Sequence, residues 1–101
     1  MANLLDETKR VLKAHNKKLN DIVWIGTDEE EISIATFIKN ADMEYDSGWG
    51  ANEVNMSLKI VGNDFWLERH EYDGSEWWEY KEMPVRPPKV ALNTKRLIWD
   101  S

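Results

Sequence analysis

"FWLERHEYDGSEWWEYKEM" (residues 65–83) decides the fold. Asp73-Gly74, flanked by runs rich in aromatic and β-branched residues, is the strongest short-range hairpin signal in the chain. The register is open at this point. A two-residue Asp73-Gly74 loop sets Glu71 against Glu76 and Glu68 against Glu79, and like charges directly opposite are destabilising. A four-residue loop, Asp73–Glu76, instead pairs Tyr72 with Trp77, His70 with Glu79, Glu68 with Lys81 and Trp66 with Met83. The four-residue loop is the expected one. Strand alternation then places Trp66, Tyr72 and Trp77 on one side, and Phe65, Leu67, Trp78 and Tyr80 on the other. Only one face of such a sheet meets helices, so some large aromatics are expected at the surface.

Working outward, "VNMSLKIVG" (54–62) reads as a strand with Val54, Met56, Leu58 and Ile60 on one side. "IVWIG" (22–26) is a shorter strand closing at Gly26. Between them, "TDEEEISIATFIKNA" (27–41) has two readings. One is a single helix capped by Thr27, with Glu30 completing a capping box. The other is a turn over 28–30, a strand over 31–34 and a short helix over 35–41. Alternation of Ile32 and Ile34 with polar residues favours the second. In both, Phe37, Ile38 and Ala41 bury. Residues 3–19 form an amphipathic helix on Leu4, Leu5, Thr8, Val11, Leu12, His15 and Leu19, with Asn3 as cap. Its first-turn acids, Asp6 and Glu7, and last-turn Lys17 and Lys18 suit the helix dipole. "DMEYDSGWGANE" (42–53) is read as loop. Pro84 stops the hairpin, "PVRPPK" is extended and ladder-free, and the apolar tail "VALNTKRLIWDS" (90–101) docks in a conformation the pattern leaves open. The expectation is one small α+β domain over 1–101, an antiparallel sheet covered on one face by two helices.

The chain has 101 residues and no cysteine, so disulfides and thiolate chemistry are excluded. That cysteine usage fits a reducing cytosol, no apolar run reaches the length of a bilayer span, and "MANLLDETKR" lacks the form of a signal peptide. Net charge is −6, unevenly spread. Five basic and two acidic groups give +3 over 1–20; four basic and sixteen acidic give −12 over 21–82; four basic and one acidic give +3 over 83–101. The central block repels bare nucleic acid and favours a basic partner, including the basic groove of a nucleic-acid-binding protein. Trp and Tyr dominate interface hot spots. The expected partner-binding residues are therefore Trp66, Glu68, His70, Tyr72, Trp77, Trp78 and Glu79. Trp49 joins them, packed on the sheet so as to order the loop and bring Asp46 and Glu53 beside the aromatics.

Chemical constellations are sparse. Asp42, Glu44, Asp46 and Glu53 occupy positions 1, 3, 5 and 12 of a calcium loop, but Ser47 stands where the turn requires Gly. No metal and no cofactor is expected. His70 among Glu68, Glu71 and Glu79 is the one arrangement for a small hydrolase or metal-dependent enzyme. A non-enzymatic binding protein is the leading reading, that enzyme the first rival, and a structural or self-associating component, forming a homodimer through its sheet edge and aromatics, the second.

"LKIVGNDFWLERHEYDGSEWWEYKEMP" (58–84), preceded by "YDSGWGANEV" (45–54), resembles a group of small phage and prophage proteins with no defined activity. That group carries a Gly-rich "YDxGxG" loop before a "WLERHEYDGSEWWE" run, with Trp more often standing where this chain has Phe65. The resemblance spans about half the chain and omits the first helix and the tail. It implies a mobile-element product in the bacterial cytoplasm, where small acidic proteins often bind host proteins, defence nucleases among them.

Overall fold

The computed structural model describes residues 2–45, 48 and 53–91. The architecture is α+β: a five-stranded antiparallel sheet, a separate two-stranded ribbon and two helices. Helix α1 spans Leu4–Ala14 and α2 spans Ile34–Ala41. The ribbon pairs β1 (Ala2–Asn3) with β4 (Glu44–Tyr45). The main sheet has the order β3 (Glu31–Ile32), β2 (Ile22–Gly26), β5 (Lys59–Gly62), β6 (Phe65–Tyr72), β7 (Ser75–Glu82).

Local chemistry sets most of these bounds. Asn3 Oδ1 accepts from Asp6 N at 3.0 Å, the expected cap on α1. The helix ends earlier than its periodicity suggests, because Asn16 turns left-handed at φ 60°. Lys17 N then donates to Leu12 O and Asn16 N to Lys13 O, a Schellman closure that leaves Lys17 and Lys18 outside the helix. Ser33 caps α2 through Oγ, which accepts from Thr36 N at 3.1 Å. Turn, short strand and helix is thus the correct reading of 27–41, with the strand two residues shorter and the helix one residue longer than expected. Phe37 and Ala41 are buried and Ile38 partly so.

Two expectations fail at the centre of the chain. Residues 42–53 are not all loop, since Glu44–Tyr45 pair with the N-terminus, Ala2 facing Tyr45 and Asn3 facing Glu44. The strand expected over 54–62 is confined to Lys59–Gly62. Before it, Asn55 breaks the ladder: its Oδ1 accepts from Ser57 N and Oγ, and Leu58 N donates to Asn55 O. Val54, Leu58 and Ile60 still bury, while Met56 is exposed.

The hairpin register is the main correction. Tyr72 faces Ser75, His70 faces Trp77, Glu68 faces Glu79 and Trp66 faces Lys81, so the loop is the two residues Asp73 and Gly74. Both have positive φ, 50° and 84°, as the tight hairpin turn requires. Turn geometry outweighs the two like-charge pairs because neither pair is left facing itself. Glu76 turns inward to an arginine, and Glu68 and Glu79 are each held by an indole on their own strand. The division of aromatics between faces survives, since the slip is an even number of residues. Phe65, Leu67 and Trp78 lie in the core against Leu4, Leu12, Ile25 and Ile60, beneath the helices.

Candidate functional site

Two groupings of polar and aromatic side chains stand out, one on each side of the hairpin. The open face of the sheet, away from the helices, carries four cross-strand rows. Trp24, Val61, Trp66 and Lys81 cross β2, β5, β6 and β7 in the first row. Lys59, Glu68 and Glu79 form the second, His70 and Trp77 the third, and Tyr72 and Ser75 the fourth. Tyr72 is 69% exposed and Trp24 36% exposed. A bulge between Ile22 and Trp24 also puts Val23 at the surface.

The rings on this face are held in place. Trp66 Nε1 donates to Glu68 Oε1 at 2.8 Å, and Trp77 Nε1 donates to Glu79 Oε2 at 2.8 Å. His70 Nε2 lies 3.2 Å from Glu68 Oε2. The Trp66 indole, with His70 behind it, holds the Glu68 carboxyl below its ordinary range. Both arrangements are a tryptophan and a glutamate two residues apart on one strand, set antiparallel around the facing pair Glu68 and Glu79.

Of the residues expected to bind a partner, Trp66, Glu68, His70, Tyr72, Trp77 and Glu79 therefore share one surface. Trp78 does not. It is 4% exposed on the opposite side, where Nε1 donates to Thr8 Oγ1 at 2.8 Å, so it is a core residue. Glu53 lies near the hairpin's other side, its N–H donating to Glu76 Oε2 at 2.8 Å. Asp46 and Trp49 lie outside the described residues, as does the tail beyond residue 91. His70 faces Trp77 and not Glu79, and its carboxylate contact among the described residues is Glu68. Of the calcium-loop residues, Asp42 accepts from Asn3 Nδ2 at 3.0 Å and Glu44 belongs to the ribbon. Among the described residues no group of three or more His, Cys, Asp or Glu could hold a metal ion. Among the described residues no helix is long and apolar enough to cross a membrane.

The second grouping is internal and was not foreseen. Arg69, its side chain wholly buried, donates from Nη2 to Glu76 Oε1 at 2.9 Å and to Tyr45 Oη at 3.1 Å. Its Nη1 donates to Glu7 Oε2 at 3.4 Å. Tyr45 Oη donates to Glu7 Oε1, and Trp78 N donates to Glu7 Oε2 at 3.0 Å. Glu76 also accepts from Glu53 N and Val54 N. The guanidinium carbon stands 4.8 Å from the Trp78 ring and 5.6 Å from the Tyr45 ring. Burial and the Glu7 hydrogen bond push the Tyr45 hydroxyl up to about 12. Arg69 Nε has no partner among the described residues.

This cluster joins α1, β4, β6, β7 and the 53–54 segment, and each charge has an opposite within reach. Glu7 also blunts the free edge of β7 by taking the outward N–H of Trp78. Strand alternation alone could have revealed it. Arg69 has the parity of Leu67, and Glu76 that of Trp78, so both point into the core, and a buried guanidinium requires a carboxylate.

No protein-family model, curated protein or solved structure matches the chain. The open face and the buried cluster thus stand on their own geometry.

Proposed function

We propose that the protein acts by binding, without chemistry of its own, and that it engages a basic protein through the open face of its sheet. In the setting the resemblance implies, it is a phage or prophage product in the bacterial cytoplasm. The target class is then a host protein that binds nucleic acid, a defence nuclease among the candidates.

The observation that carries this reading is the set of aromatics, spread over three cross-strand rows, on the sheet face opposite the core. Trp24, Trp66, Tyr72 and Trp77 offer apolar area that folding leaves accessible, and the indole–carboxylate bonds pre-set two of the rings. Pre-set side chains lose little rotamer freedom on binding, which favours affinity.

Charge supplies the choice of partner. Burying Arg69 with Glu76 removes one of four basic and one of sixteen acidic groups from the central block, so three and fifteen remain and −12 is kept. The face itself is mixed, with Lys59 and Lys81 beside Glu68 and Glu79. Exposed acids gather at its rim, Glu71 and Asp73 at the hairpin tip, Asp28, Glu29 and Glu30 between β2 and β3, and Glu31 at the start of β3. A fitting partner has an apolar centre ringed by Lys and Arg. Rim charges act on association rate and salt dependence more than on the packed centre.

The test is affinity capture from bacterial lysate at low salt, followed by elution along a salt gradient. A retained basic protein that leaves as the Debye length shortens supports the reading. If nothing is retained at low salt, the reading fails.

A further inference from the structure

Just beyond β7, Met83 N donates to Asp64 O at 2.7 Å, and the described residues that follow are exposed. Residues 84–91, "PVRPPKVA", are all exposed, Val85 at 90% and Val90 at 77%. No hydrogen bond to them exists among the described residues. Two valines held in water on an acidic, charged protein are an apolar cost that the fold does not recover.

Their backbone is nevertheless restricted. Pro84, Pro87 and Pro88 fix φ near −65°, and Met83, Arg86 and Pro87 each precede a proline, which drives them to extended or polyproline II geometry. Of residues 83–88, only Val85 lacks a constraint of either kind. The free chain bends at Pro88; drawn out as one polyproline II helix, with three residues per turn and a rise of about 3.1 Å per residue, 84–91 would reach roughly 25 Å. Its three ridges separate by chemistry. Pro84, Pro87 and Val90 share the first; Val85, Pro88 and Ala91 share the second; Arg86 and Lys89 share the third.

We propose that residues 84–91 are a ligand for a partner domain that grips polyproline II helices in an aromatic groove flanked by carboxylates. Two apolar ridges enter such a groove, and the third presents its cations to the acidic flank. The prolines restrict the backbone toward the bound shape before binding, which lowers the ordering cost, and the bend at Pro88 is what the groove must straighten. The segment differs in sign from the open face: it seeks an acidic partner, and the face a basic one. The two surfaces can be tested apart.

The experiment presents the whole protein to a panel of SH3 and WW domains and measures binding by fluorescence anisotropy. At least one domain with an acidic flank is expected to bind. Pro87→Ala and the pair Arg86→Glu/Lys89→Glu should each weaken that binding roughly tenfold or more, and Trp77→Ser should leave it unchanged. Near-ultraviolet circular dichroism checks that each variant remains folded. The proposal is overturned if no domain binds, or if binding survives Pro87→Ala. Loss of binding in Trp77→Ser overturns it too, since the domain would then sit on the sheet. Self-association that Pro87→Ala abolishes would likewise refute a separate partner domain, by making a second copy the receptor.

Discussion

Removing the Glu76 carboxylate should unfold a large part of the protein's margin of stability, and the size of the loss follows from the buried contacts. Glu76 accepts from Arg69 Nη2 at 2.9 Å, Glu53 N at 2.8 Å and Val54 N at 3.1 Å, and it is as buried as the guanidinium it faces. Breaking a buried pair by deleting one partner costs about 3–5 kcal/mol, because the survivor keeps its desolvation penalty. Here Glu7 still stands 3.4 Å from Arg69 Nη1, so Glu76→Ala belongs near the lower end, about 3 kcal/mol. A domain of this size has about 5–15 kcal/mol in all. Arg69→Met removes the cation and strands Glu76, which retains its two backbone donors and should therefore lose somewhat less. In the double variant neither member of the pair strands the other, and Glu7 alone loses its contact with the guanidinium while keeping its bonds to Tyr45 and Trp78 N, so the loss should be smaller than the sum of the two single losses by about 1–3 kcal/mol. Urea unfolding followed by tryptophan fluorescence gives all three values, with Trp78 beside the guanidinium as reporter. Additivity of the single losses within about 0.5 kcal/mol would refute the claim that these two charges stabilise each other.

Gly62→Ala should destabilise by about 1–3 kcal/mol, since the added Cβ would lie 2.0 Å from Phe65 Cε1 and that ring is packed in the core; thermal unfolding measures it. Tyr45 and Tyr80 have hydroxyls raised to about 12, by burial first and then by Glu7 and Glu82 respectively. A raised value means the folded state holds its protons longer, so their contribution is complete below pH 10 and is lost as pH rises toward 12. Tyr45→Phe should flatten that alkaline loss in a pH series of urea midpoints. On the acid side, the depressed Glu68 carboxyl contributes stability above its ordinary 4.5, lost as pH falls through the folded value. Trp66→Phe removes the main cause, and carboxyl carbon NMR should then show Glu68 titrating at higher pH.

How far the sequence led can be judged element by element. Asp73-Gly74 marked the turn because few dipeptides tolerate two positive φ values, and IVWIG ended at Gly26 as its pattern indicated. Asn3 and the amphipathic spacing located α1. The hairpin register escaped because it was weighed on charge repulsion alone, whereas the fold disposes of the like charges one by one. Glu76 finds Arg69, and Glu68 and Glu79 find indole N–H groups, contacts that depend on elements far apart in the chain. The β1–β4 ribbon is two residues long on each side, too short for periodicity to register. The open face was legible in outline, since alternation put Trp66, Tyr72 and Trp77 together. Trp78 was assigned to the wrong role because adjacency to Trp77 outweighed the parity that places it inside. Trp24 joins the face only through the β2–β5 pairing, which no local pattern announces.

The central claim is that a partner binds on the aromatic face, and one comparison tests it most directly. Wild-type protein and the triple variant Trp24→Ser/Tyr72→Ser/Trp77→Ser are immobilised at equal density, and the protein each retains from bacterial lysate at low salt is quantified. All three side chains lie on the open face and Tyr72 is largely in water, so the variant should stay folded, as circular dichroism will verify. The account predicts that the triple variant loses the basic protein that wild type retains, with its net charge unchanged. Equal retention by both would contradict it, and would show that charge alone, without the aromatic face, holds whatever is bound.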